Sequence, residues 1–267
     1  MDWGLQNRIA HIIKPDTGKT VMLAVDHGYF LGPTSGLENA KKTIAPILSY
    51  ADSLMLTRGI LRTSVDPNVS VPIVLRVSGG TSILGNLARE GITTSVKEAV
   101  RLNVSAAAVS IFIGSEYEKE TICSLAHLVN ECEEVGMPVL AVTAVGKDMV
   151  RDVKYLGLCC RIAAEHGAHI VKTYYCKDFE KIVASCPVPV VIAGGKKLEE
   201  KSALQLSFDA IHAGASGVDM GRNIFQSDSP VGMIQAVRKI VHNNASVKEA
   251  FDIYTEIKNK GCVTSRA

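Results

Sequence analysis

Apolar residues cluster in eight short runs separated by longer amphipathic stretches. The runs are Thr20–Asp26, Asp52–Thr57, Val71–Val77, Ala106–Phe112, Pro138–Thr143, Ala168–Thr173, Val188–Ala193 and Ser216–Met220. Each is short, rich in β-branched residues and often bounded by Gly or Pro, as expected of strands buried on both faces. Between them, Glu38–Leu48, Val96–Leu102, Glu116–Val135, Asp148–His166, Leu198–Ala213 and Pro230–His242 repeat apolar positions at helical spacing. Ser95 and Glu98 have the spacing of a capping box. Gly136, Gly167 and Gly214 stand where helices should end. A further helix is predicted over Val247–Lys258, followed by a frayed tail, KGCVTSRA.

Strand and helix alternating eight times predict an α/β fold, specifically a (β/α)8 TIM barrel formed by residues 1–267 as a single domain with an extra C-terminal helix. The rival is a doubly wound open sheet, which requires a glycine-rich turn after the first strand. Here that turn reads Asp26-His27-Gly28-Tyr29, which is no dinucleotide fingerprint. A closed barrel also explains why no run is polar enough to be an edge strand.

Composition narrows the function classes. The 267 residues carry a net charge of +2, with 47% hydrophobic and only 5% aromatic residues. That balance argues against a nucleic-acid binder. No apolar run is long enough to span a membrane, and MDWGLQNRIA lacks the apolar core of a signal peptide. The seven cysteines are odd in number and irregularly spaced, which suggests free thiols in a reducing compartment. These features together predict a cytoplasmic protein.

A barrel carries its chemistry at the C-terminal ends of its strands. The sixth run ends in His169-Ile170-Val171-Lys172. A lysine buried in an apolar strand is costly, and burial in general favours the neutral amine, the form that attacks a carbonyl. The bland alternative is a lysine that reaches solvent or pairs with a carboxylate. Asp26, closing the first run, is a candidate general acid/base or equally a carboxylate that caps a loop. His27 can share the proton work or simply satisfy a hydrogen bond. Gly194-Gly195 and Gly221-Arg222 follow the last two runs, where barrels often bind phosphate through backbone N–H groups. Arg222 would add a fork of donors, and Lys196 and Lys197 either support that site or are solvated surface charge. Asp219 and Asn223 also stand at the eighth strand end, with no role assigned. No metal-ligand spacing occurs. Cys159-Cys160 reads as a pair of packing thiols, and Cys176 as an improbable nucleophile.

The stretches DWGLQNRI, GKTVMLAVDHGYF, TRGILR, IGSEYE, VGKDMVRD, IVKTYY, CPVPVVIAGGKK and SGVDMGRNIFQSD cover most of the chain. On these the chain resembles the class I aldolases of the archaeal fructose-bisphosphate aldolase type. The resemblance implies a barrel with its Schiff-base lysine at Lys172, its acid/base aspartate at Asp26, and its phosphate loops at Gly194, Gly195, Gly221 and Arg222. The aldolase branch carries Trp-x-Tyr-Pro-Arg after the fifth strand, whose tyrosine moves protons. Here the region reads Ala141-Val142-Thr143-Ala144-Val145-Gly146-Lys147-Asp148 and lacks the tyrosine.

That departure favours a thiolase branch of the family, associated with breakdown of the bacterial signal autoinducer-2. It implies a phosphorylated dione as substrate and coenzyme A as co-substrate, with no permanently bound cofactor and no metal. It also implies a homo-oligomer, such as a decameric ring, without nucleic-acid or membrane partners. Lys147 is a candidate contact for coenzyme A. The alternatives are a class I aldolase acting on a phosphorylated sugar, and a non-catalytic barrel that binds sugar phosphates.

Overall fold

A computed structural model describes residues 2–144 and 150–264, with residues 261–264 described by backbone alone. Eight parallel strands close into a barrel. They are β1 (Thr20–Ala24), β2 (Ser53–Thr57), β3 (Ile73–Arg76), β4 (Ala106–Ile111), β5 (Val139–Thr143), β6 (Ile170–Tyr174), β7 (Val190–Ala193) and β8 (Gly217–Met220). Sequence neighbours pair throughout, and β1 closes the ring against β8 with Thr20 opposite Gly217. Closure is tight at that point. A Cβ on Gly217 would lie 2.1 Å from the Thr20 carbonyl oxygen, and its φ of +148° is one that side chains avoid.

Side chains alternate in and out along each strand. Val21, Leu23, Leu54, Leu75, Val109, Val139, Val171 and Ile192 point outward into the main core against the helices. Met22, Ala24, Met55, Val74, Ala106, Ala108, Leu140, Ile170 and Val191 fill the interior. The helix Trp3–Ile12 closes the bottom, adding Ile9, Ile12 and Ile13 to that interior cluster. It starts where the Asp2 carboxylate accepts from Leu5 N at 2.7 Å. Another tie at the bottom is Asp52, which accepts from Val21 N, Arg238 Nη1 and His242 at 2.8, 2.7 and 2.6 Å.

Several predicted helices are trimmed. The expected helix over Glu38–Leu48 survives as Ala40–Ile44 and a 3₁₀ turn, Leu48–Tyr50. Pro46 supplies no N–H and breaks the run between them. Only half of the capping box forms. Ser95 accepts from Glu98 N at 3.2 Å, while the Glu98 carboxylate turns to Arg62 and Arg101. The helix expected over Asp148–His166 is observed as Val153–Glu165, capped by Asp152. The tail expected to fray from Lys260 continues as helix, which runs Val247–Thr264. Gly261 weakens a helix without ending it, since the next turn supplies neither proline nor a cap. The sequence pattern also missed a two-stranded antiparallel ribbon after β3, Ser78–Gly79 against Gly91–Ile92.

Candidate active site at the C-terminal mouth of the barrel

Moving up the interior by one inward position on several strands changes its chemistry. Lys172 follows Ile170 on β6, Asp219 follows Gly217 on β8, and Arg76 follows Val74 on β3. Ser110 follows Ala108 on β4, and Asp26 lies just past Ala24. All four charged residues are buried: Lys172 is 8% exposed, Asp26 6%, Arg76 5% and Asp219 1%. Two cations thus balance two anions where isolated charges would be prohibitive.

Their contacts divide them. Lys172 Nζ lies 2.7 Å from Asp219 Oδ2, and 3.8 Å from Met55 Sδ. Asp219 Oδ1 meets no hydrogen-bond donor among the described residues. Asp26 Oδ2 accepts from Arg76 Nε at 3.0 Å, and Arg76 Nη1 donates to Ser110 Oγ at 2.8 Å. The network continues outward. Ser110 N donates to Ser78 Oγ, which donates to Glu90, and Tyr29 OH donates to the other Glu90 oxygen at 2.6 Å. Arg76 also lies over the Tyr29 ring, 5.5 Å from its centroid.

The two aspartates therefore sit in opposite environments. Burial would raise the Asp26 carboxyl, but Arg76, then Lys172 and His27, outweigh it and hold it below the usual carboxylate range. Burial dominates at Asp219, which Lys172 offsets only in part, and its carboxyl is raised. Burial lowers His27 to about 4, so its ring is neutral at neutral pH despite Asp26 at 3.8 Å. The His27 ring stands edge-on to Phe225, 5.6 Å between centroids.

Across the mouth, the loops after β7 and β8 lie together. Asn223 Nδ2 donates to the Gly194 carbonyl at 2.7 Å, and its Oδ1 accepts from Leu198 N at 2.7 Å. Gly221 passes so close to the end of β1 that a Cβ would lie 2.3 Å from Ala24 O and 2.4 Å from His27 Cε1. Gly195 takes a φ of +69° with open space around it. Arg222 Nε is buried without a hydrogen-bond partner among the described residues. Lys197, by contrast, is engaged by Glu200 at 2.8 Å. A cavity of 230 Å³ opens on the other side, between the ends of β2 and β3 and the ribbon, lined by Thr57, Arg58, Arg76 and Tyr29.

The structure thus gathers Lys172, Asp26, His27, Gly194, Gly195, Gly221 and Arg222 at one end of one barrel. It adds Arg76, Asp219 and Asn223, to which the sequence reading gave no role. A signal was present: Arg76 in IVLR and Asp219 in GVDM break apolar strands just as Lys172 does. Cys176 is buried with a raised thiol, and Cys159 and Cys160 belong to the outer core. The described residues contain no cluster of metal-ligating side chains. No described helix is long and apolar enough to cross a membrane. Lys147 lies outside the described residues.

Residues 20–227 match the profile of the DeoC/LacD family aldolases. The chain belongs to that family. Among characterised relatives, the 3-hydroxy-5-phosphonooxypentane-2,4-dione thiolase of Escherichia coli (strain K12) is 57% identical over 259 residues, covering 97% of this chain and 89% of the relative. The thiolase of the same name from Salmonella typhimurium is 55% identical over 260 residues, with the same coverage. Among solved structures, an archaeal fructose-1,6-bisphosphate aldolase with its catalytic Lys covalently bound to the carbinolamine intermediate of the substrate superposes with a TM-score of 0.81. It is 26% identical, and the match covers 89% of this chain and 99% of that one. The family assignment and the closed eight-stranded barrel agree with the fold expected from the strand pattern.

Proposed function

We propose that this member of the DeoC/LacD aldolase family is a Schiff-base-forming thiolase. It transfers an acetyl group from 3-hydroxy-5-phosphonooxypentane-2,4-dione to coenzyme A, giving acetyl-CoA and dihydroxyacetone phosphate. The observation that carries the reading is a primary amine, Lys172, buried on β6 at the mouth of a barrel from this family and 57% identical to a named thiolase.

Lys172 condenses with the ketone nearer the phosphate and releases water. The resulting iminium is an electron sink. The coenzyme A thiol adds to the distal ketone, and the bond between that carbon and the hydroxyl-bearing carbon breaks. Its electron pair moves into the iminium to form an enamine, and acetyl-CoA departs. Protonation of the enamine carbon and hydrolysis return dihydroxyacetone phosphate and free Lys172. Asp26 and the neutral His27 handle protons around the reacting carbons. The backbone of Gly194, Gly195 and Gly221, with the unpaired Nε of Arg222, holds the phosphate, and Asn223 fixes the two loops against each other. The cavity beside Arg76 gives the acetyl end and the incoming thiol space opposite the phosphate. Coenzyme A acts as a co-substrate, so no resident cofactor is needed. The same reading makes the protein a cytoplasmic homo-oligomer, in the manner of a ring such as a decamer. Trp3, 78% exposed, supplies apolar surface for such contacts.

The test is borohydride reduction in the presence of the phosphorylated dione, followed by peptide mapping, with product assayed with and without coenzyme A. An adduct on Lys172 and acetyl-CoA formed only when coenzyme A is present are expected. Cleavage without coenzyme A would instead make the protein a class I aldolase acting on a phosphorylated substrate. Ligand binding with no turnover and no adduct would leave a sugar-phosphate-binding barrel.

A further inference from the structure

The mechanism above leaves one buried acid without a task. Asp219 lies on β8 between Met22 of β1 and Ala193 of β7, and it points into the interior at the level of Lys172. One of its oxygens is 2.7 Å from Lys172 Nζ, and the other has no donor among the described residues. A buried ion pair is a weak source of stability, because desolvation offsets most of the attraction. A carboxylate left half-satisfied in the interior costs more still. The arrangement is poor as architecture. It is well suited to proton transfer, which needs a carboxyl within hydrogen-bond reach of the reacting nitrogen and an oxygen not already committed to another donor.

Resting on the assignment of Lys172 as the imine-forming residue, we propose that Asp219 is the catalytic acid/base of imine formation, carrying the proton from the lysine amine to the departing carbinolamine hydroxyl. The Asp219 carboxylate takes one proton from the Lys172 ammonium and frees the nitrogen lone pair. The amine adds to the ketone carbon, the carbonyl π pair moves to oxygen, and a proton passes from nitrogen to that oxygen, giving a neutral carbinolamine. The Asp219 carboxyl then protonates the hydroxyl. The C–O bond breaks, water leaves, and the nitrogen lone pair forms the iminium. Asp219 ends as it began, ionised, and the single positive charge stays on nitrogen.

Two carboxylates share the site, and their environments separate the tasks. Asp26 is pinned by Arg76 at 3.0 Å and stays ionised, with Lys172 and His27 as its other titratable neighbours. Among the described residues, Lys172 is the one direct polar contact of the Asp219 carboxyl, so Asp219 can gain and lose a proton without dismantling a network. Its raised carboxyl agrees with that role. The position also bears on the missing aldolase tyrosine, because it supplies a proton carrier from β8 in a chain that lacks that tyrosine after β5.

The test measures the rate of borohydride-trapped adduct formation on Lys172 with dihydroxyacetone phosphate as probe. It compares the wild-type protein with Asp219→Asn, and with Asp219→Ala in the absence and presence of formate. In Asp219→Asn the trapping rate is expected to fall by roughly 10²–10⁴-fold. The remaining rate should climb with pH as solvent takes over removal of the amine proton, and formate should restore part of the loss in Asp219→Ala. Equal trapping rates and pH profiles in wild type and Asp219→Asn would overturn the proposal and leave Asp219 an ion-pair partner only. Absence of an adduct in the wild-type protein would instead overturn the assignment of Lys172. If Asp219→Asn does not fold, formate rescue of Asp219→Ala decides: no rescue in a folded variant counts against the proposal.

Discussion

The lower and upper halves of the barrel interior are built from the same strands, often one inward position apart, yet they obey opposite rules. Below, Met22, Met55, Val74, Ala106, Ala108, Leu140, Ile170 and Val191 fill space with no polar atom to satisfy. Above, Lys172, Asp219, Asp26 and Arg76 occupy equally buried positions and hold one another by charge. The lower half lowers the free energy of the fold by removing apolar area from water. The upper half pays desolvation for a reactive arrangement, and the lower half is what lets the fold carry that cost. Substitutions should therefore separate, with stability responding below and activity above, save where an upper residue is one partner of a buried ion pair or titrates on unfolding.

The largest effect belongs to Lys172. Lys172→Ala is expected to reduce turnover by roughly 10⁴-fold or more, since no other described amine stands at the reacting position. The variant should remain folded by circular dichroism, and borohydride should trap nothing. A Lys172→Ala protein with a tenth of normal activity would erase the distinction between the halves.

Arg76 comes next, because it serves both rules. Arg76→Met removes one partner of a buried pair and should cost about 3–5 kcal/mol in denaturant unfolding at pH 7. Without Arg76, the largest charge holding Asp26 down is gone, so Asp26 takes up a proton at higher pH. Burial then lifts Asp26 above its ordinary 3.8. The variant's stability should fall as pH rises through the raised value, because the folded state holds that proton more tightly than the unfolded chain. Activity that needs the ionised carboxylate should rise over the same range, where the wild type is flat. A variant as stable as the wild type would show that the Arg76–Asp26 pair contributes no net stability.

His27 gives a smaller, pH-gated effect. Its folded value of about 4 lies below the ordinary 6.5, so the folded protein resists a proton that the unfolded chain accepts. Stability from this residue is complete above pH 6.5 and is lost as pH falls toward 4, by about 3 kcal/mol at the limit. Urea melts between pH 7 and 4 should show a shallower decline in His27→Gln than in wild type. Asp26 acts with the same sign, but only below its ordinary value of 3.8, outside that window. Identical slopes in the two proteins would place the acid lability elsewhere, with the half-buried His169, also lowered by burial, the next candidate.

The lower half was readable in the sequence and the upper half only partly so. Apolar runs such as TVMLA and VVIA declare buried strands, because nothing else explains their composition. Lys172 stood out for the converse reason, as a charge inside such a run. Arg76 and Asp219 carry the same signature, but each makes sense only once a partner from a distant strand is known. Asp26 is fifty residues from Arg76 in the chain, and no local pattern pairs them. Helix ends were legible where a cap or a glycine marks them, as at Ser95 and Gly167. They were misjudged where one proline, Pro46, outweighs amphipathic spacing. The ribbon after β3 is two residues on each side and rests on tertiary contacts, too short to leave a periodic trace.

The smallest expected effect tests the boundary between the halves. Ile170 is buried one inward position below Lys172 on β6, in the apolar cluster and beneath the reacting amine. Ile170→Val deletes one methyl and should cost about 0.5–1.5 kcal/mol. The packing above it is held by ion pairs rather than by contact with that methyl, since Lys172 is fixed by Asp219 at 2.7 Å. Turnover per folded molecule should therefore stay within about twofold of wild type, because a lost methyl weakens packing without moving a charge-anchored amine. Thermal melts and kcat on the same preparation decide it. A large loss of kcat at this small cost in stability would mean that the apolar layer positions Lys172 directly, and that the two halves of the interior are one device.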